Sequence, residues 1–169
     1  MVGASGSGKT TICKELYRKY GLNSIESYTT RSPRYENEEG HIFIEDYEAD
    51  EILQTEEIVG YTEFNNNKYF ATALQVQENQ IYVIDVDGVE YFDEHYTGLK
   101  NVIMVYVDVD EETRYKRMVC SRGEQSAKER IEYDAIVFKN APYMADYIVE
   151  NYDIDEAVEC VYQIWKKGK

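Results

Sequence analysis

Eight residues near the start of the chain have the types and spacing to hold an anion. Gly3-Ala4-Ser5-Gly6-Ser7-Gly8-Lys9-Thr10 reads G-x-x-x-x-G-K-T, the pattern of a loop whose backbone amides converge on phosphate. Gly3, Gly6 and Gly8 let the backbone turn tightly enough for successive N–H groups to meet one ligand. Lys9 sets a positive charge beside the terminal phosphates of a nucleotide, and Thr10 offers a hydroxyl to Mg²⁺. The nucleotide-binding set is therefore Gly3, Ser5, Gly6, Ser7, Gly8, Lys9, Thr10 and Thr11, with ATP and Mg²⁺ as the implied cofactors. Residues from Lys9 to Tyr20 have helical spacing, so the phosphates also meet a helix N-terminus. Such a loop ordinarily follows a buried strand. Here only Met1-Val2 precedes it, so a very short first strand, or one beginning before the recorded start, is expected.

Two basic clusters stand out. Ser27-Tyr28-Thr29-Thr30-Arg31-Ser32-Pro33-Arg34 carries two arginines three apart in a polar turn. Arginine's planar fork matches phosphate oxygens bidentately, so this is a candidate anion clamp. The alternative is a set of surface ion pairs with Glu36, Glu38 or Glu39. Further on, Arg122-Gly123 and Arg130 flank a polar segment. They are placed either to neutralise charge on a transferred phosphoryl group or to pair with Glu111, Glu129 or Glu132. Between the clusters, Gln80-Ile81-Tyr82-Val83-Ile84-Asp85-Val86 is an apolar run with a carboxylate near its end. That is the expected form of a buried parallel strand presenting Asp85 at its C-terminal tip. Asp85 there is a candidate Mg²⁺ ligand, or a turn-capping residue.

The elements that must position these groups follow from pattern. A helix from Thr10 to Tyr20 is stopped by Gly21. Short strands are expected at Ser24–Tyr28 and His41–Ile44, and a helix at Asp46–Leu53. Ile58–Phe64 and Lys68–Phe70 read as strands around an Asn65-Asn66-Asn67 turn. Thr72 caps a following helix. Asn101–Val107 reads as a second buried strand, Asp110–Met118 and Lys128–Lys139 as helices, and Tyr147–Asn151 as a last strand. Asp153–Lys166 is an amphipathic closing helix. Strands alternating with helices predict an α/β fold, a three-layer α/β/α arrangement with a mainly parallel central sheet. Ligands are expected at the carboxyl ends of its strands.

At 169 residues the chain suits one domain. Its 43% hydrophobic and 14% aromatic content fits a packed core. With 33 acidic against 18 basic residues the net charge is −15, which disfavours nucleic acid or an anionic membrane as partner. No apolar run is long enough for a transmembrane helix. Cys13, Cys120 and Cys160 are scattered and odd in number, the pattern of reduced cysteines in a cytoplasmic protein.

The phosphate loop followed about twenty residues later by S-Y-T-T-R-S-P-R resembles guanylate kinase, whose pattern is S-x-T-T-R-x-P-R, and the resemblance runs to the C-terminus. It implies ATP-dependent phosphorylation of a small molecule, GMP, to GDP. Ser27, Arg31 and Arg34 would hold the acceptor phosphate, and Arg122 and Arg130 would belong to a lid closing over ATP. It also implies a core of residues 1–27, 77–118 and 131–169, an inserted acceptor-binding subdomain at 28–76 and a short lid at 119–130. Catalysis would rest on Lys9, Arg31, Arg34, Arg122 and Arg130. Two departures stand in the acceptor region. The family's tyrosine ahead of a phenylalanine falls on His41, and its guanine-binding glutamate falls on Gly60, with Glu63 nearby. Tyr69 and Thr72 most resemble the family's Y-G-T/S residues, and Asp85 the aspartate of D-V-Q-G. A carboxylate reads guanine by accepting from N1–H and N2–H₂. Alternation puts Glu63 on the face opposite Gly60 and Thr62, unless a bulge brings it round. A related kinase with another acceptor, such as a different nucleoside monophosphate or ribose 1,5-bisphosphate, and a non-catalytic binding module are the alternatives.

Overall fold

The computed structural model describes all 169 residues, Met1–Lys169. They divide into two compact units, one of Met1–Gly21 with Asn101–Lys169, the other of Leu22–Lys100.

The first unit starts with Val2, which is fully buried and forms a parallel bridge to Tyr106. Its N–H donates to Val105 O and its O accepts from Val107 N, both at 2.8 Å. Val2 is thus the paired residue that leads into the loop. Helix α1 (Lys9–Tyr20) buries Ile12, Cys13 and Leu16 on one face and ends at Gly21. Strand β5 (Val105–Asp108) pairs in parallel with β6 (Tyr147–Glu150). Asp110 caps α5 (Glu111–Arg122) by accepting from Thr113 N, and Gly123 separates it from α6 (Glu124–Val137). A short α7 (Ala141–Met144) follows. Asp153 then caps α8 (Ile154–Lys167), whose buried stripe is Ala157, Val158, Val161 and Ile164. Helices α1 and α8 are joined at their ends by stacked Tyr20 and Tyr162 rings, 3.7 Å between centroids.

The second unit is a four-stranded sheet ordered β2-β1-β4-β3. Strand β1 (Ser27–Thr29) runs parallel to β2 (His41–Phe43) and antiparallel to β4 (Asn67–Thr72), which is antiparallel to β3 (Ile58–Phe64). The β3–β4 hairpin turns through Asn65 and Asn66, both at positive φ, as a tight primed turn requires. Glu45 and Glu48 form a capping box on α2 (Asp46–Thr55). Thr72 and Gln75 do the same for α3 (Ala73–Glu78). Helix α4 (Val86–His95) follows. The core is Ile25, Val59, Ala71, Ala73, Val76 and Phe92, with Tyr82, Ile84 and Tyr96 packed on it.

The sheets are smaller and more mixed than the mainly parallel central sheet expected from sequence. The run from Gln80 to Val86 supplies one bridge, Ile81 to Ser24. Beyond it the chain leaves the ladder, because Asp85 turns to cap α4 and the residues before it pack as side chains against β3 and α4. Helix α4 was not read from the sequence. The segment 119–130 holds the end of α5, Gly123 and the start of α6.

Candidate nucleotide and acceptor sites

In the first unit the Gly3–Thr10 loop curls over the start of α1. Gly6 and Gly8 sit at φ +78° and +95°, a conformation L side chains rarely adopt. A Cβ on Gly8 would overlap the Asn151 amide, which donates to Ser7 O at 2.7 Å. Arg117 ties the same corner down, donating to Asn151 O at 2.8 Å and Gly6 O at 3.4 Å. Lys9 folds back on the loop, its Nζ 2.6 Å from Gly3 O, 3.2 Å from Ala4 O and 3.5 Å from Ser7 Oγ. Burial, offset in part by the Asp134 carboxylate, pushes Lys9 down to about 8. An ammonium held only by neutral carbonyls and a hydroxyl is stabilised by an arriving anion. These residues therefore fit a polyphosphate. Thr10 is exposed on the first turn of α1. No group of three or more His, Cys, Asp or Glu side chains is arranged to hold a metal ion by itself. Mg²⁺ fits only in the manner of a nucleotide-borne ion, which needs one or two protein oxygens beside phosphate and water.

The two arginines expected in a lid differ in place. Arg130, on α6, is drawn to the loop, its Nε donating to Ser5 Oγ at 2.8 Å. Arg122 is exposed at the end of α5. Sequence reasoning missed Asp134, one turn after Arg130. Its carboxylate is buried and accepts from Ser5 N at 2.6 Å. It also missed Arg117 and Asn151 as supports of the loop.

In the second unit the register gathers several of the candidate acceptor residues on one sheet face. Ser27 pairs with His41, and Thr29 with both Phe43 and Tyr69. Ser27, His41 and Tyr69 therefore point the same way. Ser27 Oγ and His41 Nδ1 are 3.0 Å apart, and the His41 and Tyr69 rings meet edge to face. Burial and the Arg31 cation lower the His41 pKa. Arg31 grips Glu38 with Nη1 at 3.1 Å and Nη2 at 3.0 Å. Arg34 joins the same carboxylate through its amide at 2.6 Å and Nη1 at 3.3 Å. Burial acts to raise the Glu38 pKa, but its bonds to Arg31 and Arg34 outweigh burial and hold it below the usual glutamate value. Arg31 Nε is buried with no hydrogen-bond partner. The structure thus gives the acidic pairing, with Glu38 bonded to both arginines.

The remaining acceptor candidates separate. The ladder shifts register between Ile58 and Gly60, a bulge that does not bring Glu63 round. Thr62 pairs with Tyr69 and Gly60 with Ala71, so both lie on the Ser27–His41 face, while Glu63 pairs with Lys68 on the other. There Glu63 accepts from the Tyr61 hydroxyl. Gly60 is filled from outside, since a Cβ on it would overlap the Tyr82 hydroxyl. Thr62 Oγ1 donates to Asp85 Oδ1 at 3.0 Å, and the same oxygen accepts from Gly88 N at 2.8 Å. Asp85 is thus a helix cap on the acceptor face. The Thr72 hydroxyl caps α3 by accepting from Gln75 N at 3.3 Å.

Known proteins of the same pattern follow from comparison. The family model described as guanylate kinase matches residues 1–167. The chain is 27% identical over 164 residues to the guanylate kinase of Geobacter sulfurreducens, covering 92% of this chain and 80% of that one. It is 26% identical over 172 residues to that of Clostridium tetani, covering 96% and 81%. The crystal structure of guanylate kinase from Anaplasma phagocytophilum superposes with a TM-score of 0.73 at 22% identity, covering 98% of this chain and 83% of that one. That structural likeness establishes a mixed α/β fold of the same kind. The 1–167 match spans nearly the whole sequence, and on it the chain belongs to the guanylate kinase family.

Proposed function

We propose that the chain transfers a phosphoryl group from Mg·ATP to GMP, giving ADP and GDP. The observation that carries this reading is the convergence of Arg31 and Arg34 on one carboxylate, beside Ser27, His41 and Tyr69. It supports a site for a phosphate monoester in a chain that also carries an intact phosphate loop. The names of its relatives point the same way.

Bound Mg·ATP would supply the transferred group and the charge of the ion, held by the Gly3–Thr11 amides, Lys9 and the Thr10 hydroxyl. Arg31 and Arg34 orient the acceptor monophosphate, with Ser27, His41 and Tyr69 around it. A phosphate monoester is ionised near neutral pH, so no side chain has to act as general base. The protein's work is positioning and charge neutralisation, by Lys9, Arg31, Arg34, Arg130 and Arg122. Residues 28–76 serve as the acceptor-binding subdomain and 119–130 as the lid, within one guanylate-kinase-like domain. The parallel pairings of Val2, β5 and β6, and of Ser24 with Ile81, support a mainly parallel core. No helix is long and apolar enough to cross a membrane, in keeping with a cytoplasmic enzyme.

A second reading, a kinase of this family with another acceptor, is favoured by one observation. Tyr82 fills position 60, and Glu63 lies on the opposite sheet face. The test is phosphorus NMR of Mg·ATP with GMP. Appearance of GDP supports the first reading. Unchanged ATP with GMP but turnover with another monophosphate or ribose 1,5-bisphosphate supports the second. ATP binding without turnover of any acceptor would overturn both.

A further inference from the structure

One carboxylate in the first unit lies beneath the phosphate loop with no assigned part in the reaction. The Asp134 side chain has no exposed surface, and burial of an ionised carboxylate is costly unless it is paired. Its Oδ2 accepts from Ser5 N at 2.6 Å and lies 3.9 Å from Arg114 Nη1. Its Oδ1 lies 3.2 Å from Arg130 Nε, the same atom that donates to Ser5 Oγ at 2.8 Å. Arg114 is itself buried and is anchored through Nε to Val109 O at 3.3 Å. Its backbone also packs under the loop, where a Cβ on Gly6 would meet Arg114 O at 2.8 Å. Ser5 therefore makes two bonds to α6, one through its amide and one through its hydroxyl. The Arg130 guanidinium, stacked 4.9 Å over Tyr133, has its Nε committed to the loop.

We propose that Asp134 is a positioning residue: its carboxylate locks the Ser5 amide and the Arg130 guanidinium into one unit, so that α6 holds Arg130 at the phosphate loop. The proposal rests on the reading that this loop binds a nucleotide and that Arg130 takes part in transfer. Two features separate it from simple packing. A single carboxylate lies at ion-pair distance from two arginines, its Oδ1 accepting no hydrogen bond, with Lys9 close enough to feel its charge. An apolar side chain would fill the same space without orienting either group. The geometry also ties loop and helix through the one residue, Ser5, that both Asp134 and Arg130 touch.

The test uses the full chain with Asp134→Asn, Arg130→Ala and the double variant. In the nucleotide-free protein, the Ser5 amide proton of the wild type is shifted downfield and protected from exchange by its short bond to a carboxylate. Asp134→Asn moves it upfield and shifts the Arg130 Nε–H resonance as well. In turnover, Asp134→Asn lowers kcat about ten- to hundredfold, the scale of misplacing a catalytic group by about 1 Å. The KM for the acceptor stays within about twofold. Arg130→Ala lowers kcat similarly, and the double variant is little worse than either single one, because both remove the same placement. Full kcat in Asp134→Asn, effects that multiply in the double variant, or an unmoved Ser5 resonance would each overturn the proposal. Full kcat in Arg130→Ala would overturn it together with the reading beneath it. If Asp134→Asn does not fold, the charge-balanced Arg114→Gln/Asp134→Asn pair carries the same measurements and the same criteria.

Discussion

Arg31 presents both terminal nitrogens of its guanidinium to the Glu38 carboxylate, at 3.1 and 3.0 Å, and Arg34 Nη1 reaches Oε1 of the same group at 3.3 Å. Arg31 is largely buried there, whereas Arg34 is more than half exposed (57%). The two are therefore unequal. Arg34→Ala should raise the KM for the acceptor roughly 10- to 100-fold, the loss of one charged hydrogen bond of about 1.5–3 kcal/mol. The KM for ATP should stay within about twofold, by initial-rate kinetics varying each substrate. Arg31→Ala should cost thermal stability as well, because it leaves Glu38 buried with weaker pairing. Unchanged acceptor kinetics in Arg34→Ala would remove the clamp.

Glu38 also sets an acid dependence. Its folded pKa lies below the unfolded value, so its contribution is present above the unfolded glutamate range and is lost as pH falls through the folded value. Glu38→Gln should therefore lower the melting temperature at pH 7, with the difference from wild type shrinking in acid. A difference that grows on acidification would contradict this.

Lys9 shifts stability with pH in the same direction for the opposite reason, since burial disfavours its charged form. Burial lowers it to about 8, against an unfolded value near 10.5. Between these values the unfolded chain binds more protons, so this group makes stability rise with pH across that window. An anion in the loop would restore the ordinary lysine pKa. ATP binding near pH 8.5 should therefore take up protons, read by calorimetry in buffers of different ionisation enthalpy. The uptake should vanish in Lys9→Met. Proton release, or equal heats in every buffer after correction, would contradict the placement of Lys9.

Two glycines give a paired test of backbone strain. Gly8 and Gly123 both have positive φ, +95° and +82°. A Cβ on Gly8 collides with Asn151, while nothing lies within 4 Å of one on Gly123. Gly123→Ala should cost roughly 1–3 kcal/mol of stability, the penalty of its positive-φ, extended-ψ backbone alone, with ATP binding kept. Gly8→Ala should abolish ATP binding and lower the melting temperature further. Equal effects would mean that the Asn151 contact does not shape the loop.

Position 60 tests the acceptor face. Gly60→Glu should destabilise the protein without sharpening selectivity for GMP, because the new side chain meets Tyr82. Adding Tyr82→Ala should recover part of the melting temperature by making room. A well-folded Gly60→Glu with improved discrimination would show that Tyr82 moves aside freely.

Much of this was legible from the sequence. The loop, α1 with its Gly21 stop, the β3–β4 hairpin and the Thr72 cap follow from local chemistry, and local chemistry decides local geometry. The acidic pairing of Arg31 and Arg34 was one of the readings of the sequence, and the structure gives Glu38 as its partner. What escaped depends on distant partners. Asp134, in the run Arg130-Ile131-Glu132-Tyr133-Asp134, reads as one more solvated helix charge, and only its approach to Ser5, 129 positions away, makes it a buried partner of the loop. The Gln80–Val86 run has the composition of a buried strand, yet packs against β3 and α4, because burial alone does not distinguish a ladder from a packed segment. The side of the sheet taken by Glu63 was legible from alternation, because the bulge lies before Gly60 and leaves the pairing from Gly60 to Phe64 regular.

The most direct measurement of the central claim is steady-state turnover with Mg·ATP against GMP, dGMP, AMP, CMP, UMP and ribose 1,5-bisphosphate, followed by ADP release in wild type and Arg34→Ala. The account predicts GMP as the best acceptor, with a kcat/KM that falls sharply in Arg34→Ala. No turnover with GMP by a folded, ATP-binding enzyme would contradict it.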